Sequence, residues 1–503
     1  MINPVEIAWE FSSPATLEDE APAPVLLVGI CDDGKPALIA PLEGSETETK
    51  IAALVQAAGF EAKRGQVQIV TSNADGLPGT LVLVGLGKRD RLDRLAVERG
   101  FAQAARKLRG GEFPAVAALP ALGGEDLAEA IGPIIDGFVL GGYQCATYLP
   151  ESRIKEAKPV EKVVIIVQGE IDELQRLAGI AQALADGANL ARDLTNAPGA
   201  DLTPPTFAEE VAKLAGPAGV QAEVWKVKRI AAHDMHLLLA VGQGSAEEPR
   251  VVKLSYKPEQ RTSKTVVLVG KGITFDTGGI DLKRNPESIV GMKGDKGGAA
   301  AVIATLLACT KIKPACKVIG IIPMAENSIS NKAIKPGDVF PSASGKSVEV
   351  ADTDAEGRLI LADALAYARS LEPDCIIDLA TLTGSCMVGL GPQVAGLFCN
   401  DDGLAESVLM ASDIAGERLW PLPLEILYRP ELESEVADLR NIGERYGDAI
   451  HAALFLHEAV GDTPWAHLDI AGPAWLDSAS ASYPEGATGY GVRLLGNFLL
   501  GIE

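Results

Sequence analysis

Histidine is scarce in this chain: five among 503 residues, at positions 233, 236, 451, 457 and 467. No H-E-x-x-H occurs, so the paired-histidine zinc site of many metalloproteases is excluded. No G-x-S-x-G occurs either, which argues against a nucleophile-elbow serine hydrolase. A P-loop fails on two counts, because Thr265 stands where its first glycine belongs and Gly272 where Ser or Thr must follow Lys271. A dinucleotide fingerprint fails at Gly85-x-Gly87, where Asp90 replaces the third glycine.

Other absences bear on compartment and partners. The seven cysteines (31, 145, 309, 316, 375, 386 and 399) are odd in number and contain no C-x-x-C, and Cys309, Cys375 and Cys399 lie in apolar runs. Free thiols in a reducing compartment are expected, not a disulfide framework. The opening MINPVEIAWEFSS lacks a basic segment followed by an apolar one, so no secretory signal is expected. No apolar run approaches the ~20 residues of a membrane span. A cytoplasmic location without membrane contact is the expectation. Basic runs are missing too, and the net charge of −23 repels phosphate backbones, so a nucleic-acid partner is not expected.

What is present is a globular composition, 47% apolar, only 5% aromatic and with 53 glycines, which suits a tightly packed α/β enzyme. Short β-branched runs at 25–30, 67–72, 80–85 and 163–167 predict strands, and 49–59, 90–109 and 124–145 predict helices. Apolar residues then recur at helical spacing from Leu174 to Ala191, predicting a long helix to about Asn196. Thr206-x-x-Glu209 resembles a capping box opening the next helix. Further on, strands are expected at 265–270, 317–323, 347–350 and 375–379, and helices at 297–310, 358–370 and 448–460. Alternation of this kind implies mostly parallel sheets. The fold class is therefore α/β in two domains: a smaller N-terminal α/β domain at 1–170, a connecting helix at 171–196, and a larger C-terminal α/β domain at 197–503 with a mixed, mostly parallel sheet.

Candidate chemistry gathers where strands run into charged, glycine-rich loops, the usual place for sites in open α/β sheets. Lys271 directly follows an apolar strand, and Asp276 precedes Gly278 and Gly279. Lys283 and Asp295 come next; an acid before the helix GGAAAVIA can be merely an N-cap. The segment Asp352-Thr-Asp354-Ala-Glu356-Gly-Arg358 is more specific. If extended, it projects three carboxylates and one guanidinium to one side, an arrangement that a divalent cation would relieve. With so few histidines, such a metal would be held mainly by oxygens, which suits Mn²⁺, Mg²⁺ or Zn²⁺. His467, flanked by apolar residues, reads as a core histidine. A phosphoesterase with a two-metal centre and a scaffold role remain alternatives on these residues alone.

Residues 352–358 closely resemble the Asn-Thr-Asp-Ala-Glu-Gly-Arg signature of the leucyl aminopeptidase family, the cytosol aminopeptidases. KGITFDTGGIDLK (271–283), MKGDKGGAA (292–300), ATLTG (380–384), VADLRNIG (436–443), WAHLDIAGPAW (465–475) and GATGYGVRLL (486–495) resemble it in the same order. The resemblance implies a dimetal peptidase in the C-terminal domain, with two divalent ions per subunit, Mn²⁺ or Zn²⁺. Lys271, Asp276, Asp295 and Glu356 would form the tighter site, and Asp276, Asp354 and Glu356, with the backbone carbonyl of Asp354, the exchangeable one. Lys271 would then have to be neutral, its pKa lowered by burial and a nearby dication.

The same resemblance implies hydrolysis by a metal-bridging hydroxide, with Lys283 stabilising the oxyanion and Arg358 holding a bicarbonate as general base. Met292, Thr381, Leu382 and Gly384 would line an apolar pocket for a leucine-like first side chain. The implied partners are peptides with a free N-terminal amine, and the implied assembly is a homohexamer. Three departures stand out: Asp352 in place of asparagine, one additional residue between Lys283 and Asp295, and Glu444 in place of glycine.

Overall fold

A computed structural model describes residues 7–13, 23–37, 45–109, 113, 115–120, 125–154, 160–167, 171–259 and 264–502. The chain divides into two compact units: residues 1–186 with 478–485, and residues 187–477 with 486–503. The division falls inside the long helix Ile171–Asn196. The short segment 478–485 groups with the first unit, where Arg106 Nη1 donates to the Ser480 carbonyl at 3.0 Å.

The first unit is built on a seven-stranded sheet. Its order is Ala8–Ser12, Lys162–Ile166, Ala115–Leu119, Val25–Asp32, Thr80–Lys88 and Val67–Thr71, with Pro36–Ala37 paired to the side of Val25–Asp32. The first five strands run parallel, and Val67–Thr71 is antiparallel to its neighbour. Leu26, Val28, Ile30, Leu81 and Leu83 are fully buried, each contributing about 1.5–3 kcal/mol by leaving water. Helices Arg94–Leu108 and Glu125–Gly141 pack backbone to backbone: a Cβ on Gly141 would lie 2.4 Å from Ala102 Cα.

The second unit holds a nine-stranded mixed sheet. Its order is Leu419–Pro421, Ala395–Cys399, Trp465–Asp469, Cys375–Ala380, Thr265–Gly270, Lys317–Asn327, Arg250–Tyr256 and Gln221–Trp225. The central four, from Trp465–Asp469 to Lys317–Asn327, are parallel, and antiparallel strands flank them. Gly272–Asp276 continues beyond Gly270 and pairs parallel with the far end of Lys317–Asn327. Buried-both-sides strands explain the continuous Val and Ile runs read in the sequence. Helices Gly297–Ile312 and Glu356–Arg369 cover the sheet, and helix Asp448–Val460 packs on the latter.

Two local expectations are corrected. The helix that opens with Pro-Pro is capped by Thr203, whose hydroxyl accepts from Thr206 N, and spans Pro204–Ala215; the Thr206 hydroxyl instead bonds the Asp201 carbonyl. Proline tolerates the first helical turn, so the helix begins earlier than the Thr206 reading allows. Residues 352–358 are not extended. They form a turn that enters helix Glu356–Arg369, because Asp354 N donates to Asp352 Oδ1 at 2.8 Å and closes the chain on itself. All seven cysteines are free thiols. Among the described residues no helix is long and apolar enough to cross a membrane.

Candidate metal centre

The site is assembled at the carboxyl ends of the central parallel strands. Lys271 leaves the strand Thr265–Gly270 held on both sides: its N–H donates to Leu379 O at 3.0 Å, and its carbonyl accepts from Ala299 N at 2.9 Å. Small residues make this approach feasible. A Cβ on Gly298 would stand 2.1 Å from Leu379 O, so only glycine lets the helix Gly297–Ile312 start against the strand end. That start fixes Asp295 in the 3-10 turn Met292–Lys296. Asp295 caps nothing; the helix N-cap is Lys296. Its Oδ1 instead accepts from Thr381 Oγ1 at 2.6 Å and faces Lys271 Nζ at 2.8 Å.

Asp276 ends its strand and is oriented by two donors to Oδ1, Gly278 N and Asn327 Nδ2, both at 2.8 Å. Asn327 also donates to the Thr353 carbonyl, joining this strand end to the 352–358 turn. Thr353 is buried there, donating to Gly278 O at 2.7 Å. Asn441, in the VADLRNIG segment, holds the other side: it donates to Asp352 O at 2.6 Å and accepts from Ala351 N at 2.8 Å.

These contacts bring carboxylate oxygens of Asp276, Asp354 and Glu356 within 4.8 Å of one another. Asp295 joins them through Lys271, whose Nζ also lies 3.0 Å from Glu356 Oε1 and donates to Thr381 O at 2.9 Å. Lys283 reaches the other two carboxylates, 2.9 Å from Asp276 Oδ2 and 2.5 Å from Asp354 Oδ1. All five residues expected as ligands, and Lys283, therefore lie in one cluster. The additional residue before Asp295 does not remove Lys283 from it.

The electrostatics are those of a cation site. Four carboxylates oppose two ammonium groups. Burial, then the nearby Asp276 charge, pushes Glu356 up to about 8 and Asp354 up to about 6. Burial also raises Asp295. For Lys271, burial acts downward, yet Asp295, Glu356 and Asp276 together outweigh it and raise the amine above the ordinary lysine range. That is opposite to the lowering expected of a lysine ligand; a bound dication would have to outweigh these carboxylates to make the amine neutral. Asp295 Oδ2 and Glu356 Oε2 are buried without a hydrogen-bond partner. Unpaired buried carboxylate oxygens are costly, and a cation satisfies them. The donor set, oxygens with one amine and no histidine, fits a hard or borderline divalent ion.

Around this cluster, Thr381 follows the strand Cys375–Ala380, and Leu382 and Gly384 lead into helix Gly384–Leu390. Thr381 does more than line a wall, since it bonds both Lys271 and Asp295. Met292 opens the 3-10 turn that carries Asp295 and is half-buried. The loop 381–384 is shaped by Asp469, a residue the sequence reading did not single out. Its buried carboxylate accepts from Thr383 Oγ1 at 2.6 Å and from Leu382 N at 3.2 Å. Asp469 ends a parallel strand, as Asp276 does, and that position was its available signal. Arg358, on the first turn of its helix, donates through Nη1 to Asn441 O at 2.9 Å and through Nη2 to Asp448 Oδ1 at 3.2 Å. His467 is a core residue, bonded to Asp378 at 2.6 Å. Asp352 accepts from Asp354 N, a bond that an asparagine carbonyl could also make, so the departure adds charge without adding that contact. Glu444 is exposed, its N–H bonded to Glu431.

Comparison with known proteins agrees with this arrangement. The pattern of the cytosol aminopeptidase family, catalytic domain, matches residues 189–496, and that of the same family's N-terminal domain matches residues 27–152. A probable cytosol aminopeptidase of Roseiflexus castenholzii is 41% identical over 88% of this chain and 91% of its own. One from a Geobacter species is 39% identical over 97% and 99%. Among solved structures, the bottromycin maturation enzyme BotP in complex with Mn superposes with a TM-score of 0.84 at 37% identity, over 95% of this chain and 99% of that one. The chain thus belongs to the cytosol aminopeptidase family, metal-dependent exopeptidases acting at peptide N-termini.

Proposed function

We propose that this chain is a leucyl-type aminopeptidase that uses two divalent ions, held by Lys271, Asp276, Asp295, Asp354 and Glu356. The observation that carries the reading is the convergence of Asp276, Asp354 and Glu356 within 4.8 Å, with buried carboxylate oxygens of Asp295 and Glu356 lacking any partner. BotP is named as a Mn complex, which makes Mn²⁺ the first ion to test and Zn²⁺ the second. When bound, such ions supply Lewis acidity and a hydroxide nucleophile near neutral pH.

The remaining roles fall to the chain itself. Lys283, already a cation at the edge of the cluster, would stabilise negative charge developing on the scissile carbonyl oxygen. The carboxylate-rich floor favours a substrate with a free N-terminal amine over one whose amine is acetylated. Met292, Thr381, Leu382 and Gly384 would meet the first side chain, and an apolar wall there favours leucine. Peptides with free amines would be the substrates, and a homohexamer the assembly.

The test is hydrolysis of leucine p-nitroanilide by protein loaded with Mn²⁺, against the N-acetylated analogue, with metal content measured on the same sample. Turnover of the free-amine substrate alone, with two ions bound per chain, is expected. Equal cleavage of the acetylated substrate would overturn the reading.

A further inference from the structure

Arg358 already has an anion. The resemblance assigns this guanidinium a dissolved bicarbonate ion, and an anion is drawn to a guanidinium whose charge no carboxylate already compensates. Here Nη1 is engaged by the Asn441 carbonyl and Nη2 by Asp448 Oδ1. Each of these nitrogens uses one of its two N–H groups there and the buried Nε has no partner, so it is the compensated charge, not a shortage of N–H groups, that sets this guanidinium apart. Asp448 is itself held in place. Its other oxygen, Oδ2, accepts from Ser385 Oγ at 2.8 Å, and it sits on the first turn of helix Asp448–Val460, where the helix dipole favours a negative charge. Arg358 is 4% exposed, so the pair is shielded from water on the arginine side. A second anion brought to this guanidinium would meet a charge already neutralised and a carboxylate that repels it.

We propose that Asp448 is the built-in anionic partner of Arg358, occupying the guanidinium charge that would otherwise hold a dissolved bicarbonate, and that this chain works without added bicarbonate. Asp448 is a positioning residue: it acts through Arg358, and through Ser385 it ties that arginine to the segment 381–384 beside the substrate pocket. The inference rests on the aminopeptidase reading above for its activity arm, but not for its binding arm.

The binding arm is isothermal titration calorimetry of the full, Mn²⁺-loaded chain with sodium bicarbonate in degassed, carbonate-free buffer. The activity arm is leucine p-nitroanilide hydrolysis in the same buffer with and without millimolar bicarbonate. The wild type is expected to show no binding heat and no change in rate. Asp448→Gly is expected to bind bicarbonate and to lose about tenfold or more in kcat, with part of the loss restored by the ion. Asp448→Asn, which keeps the side-chain volume, serves if the glycine variant does not fold, and is expected to bind bicarbonate where the wild type does not. Bicarbonate binding by the wild type as tight as by either variant would overturn the proposal. So would variants that neither bind nor respond, since Asp448 would then be only a helix-start ion pair. Absence of aminopeptidase activity in the wild type would sink the functional reading instead and leave the calorimetry to decide on Asp448.

Discussion

Gly357 lies directly against Lys271: a Cβ at position 357 would stand 2.5 Å from Lys271 Cε and 2.6 Å from Nζ. The glycine of the 352–358 segment is therefore the space into which the lysine that follows strand Thr265–Gly270 extends. Gly357→Ala should push the Lys271 amine away from Asp295 and Glu356. Overpacking of this kind costs about 1–3 kcal/mol. The expected result is a folded protein with a modestly lower Tm and a kcat reduced by about two orders of magnitude, as misplacement near a reacting centre produces. Steady-state kinetics with circular dichroism would check it; unchanged kcat would show that Lys271 is not where its role requires.

Removing the ions should abolish turnover and also loosen the fold, since Asp276, Asp295, Asp354 and Glu356 then repel one another. Binding to the folded state alone stabilises by about 2.7 kcal/mol at a hundredfold excess over Kd. Dialysis against a chelator should lower Tm, and Mn²⁺ should restore both Tm and activity. Glu356→Ala should remain inactive with added Mn²⁺ and retain fewer ions by elemental analysis. Full activity in that variant would contradict the ligand assignment.

Asp469 orders the 381–384 loop from below through Thr383 and Leu382. Asp469→Asn keeps the size but loses charge-assisted bonds worth about 1.5–3 kcal/mol. Substrate binding should suffer most, with KM for leucine p-nitroanilide rising several-fold and metal content unchanged. A loss of metal with KM preserved would place Asp469 in the wrong role.

His467 gives a pH dependence. Burial lowers its proton affinity, but the Asp378 carboxylate at 2.6 Å outweighs burial and raises it above the ordinary histidine value. A raised folded-state pKa stabilises fully below the unfolded value of about 6.5, and that contribution is lost as pH rises through the folded value. The Tm gap between wild type and His467→Gln should therefore be larger near pH 6 than near pH 9, values bracketing about 6.5. A gap that widens with pH would reverse the sign and refute the pairing.

Much of the secondary structure was legible because each element carried its own period. The strand at 265–270 and the helix at 448–460 occur at the expected residues. Less legible were features set by a partner distant in sequence. Thr203 rather than Thr206 caps its helix because two prolines admit an earlier start. Residues 352–358 turn instead of extending because Asp352, Asn441 and Asn327 fold them over.

The run from Asp352 to Arg358 shows where the division lies. Sequence by itself determined the chemistry available: oxygen ligands without histidine, no nucleophile elbow, no phosphate loop, and acids placed where strands end. Those conclusions need only residue types and spacing, because ligand chemistry and strand periodicity are local properties. Only the tertiary structure decided the grouping. It paired Lys271 with Asp295 and Glu356 and Lys283 with Asp276 and Asp354, brought in Asn327, Asn441 and Asp469, and gave Arg358 to Asp448, 90 residues away. Distances between side chains on separate strands depend on how close backbones approach, and that was settled by glycines at 298 and 357 whose necessity appears only once the partner is in place.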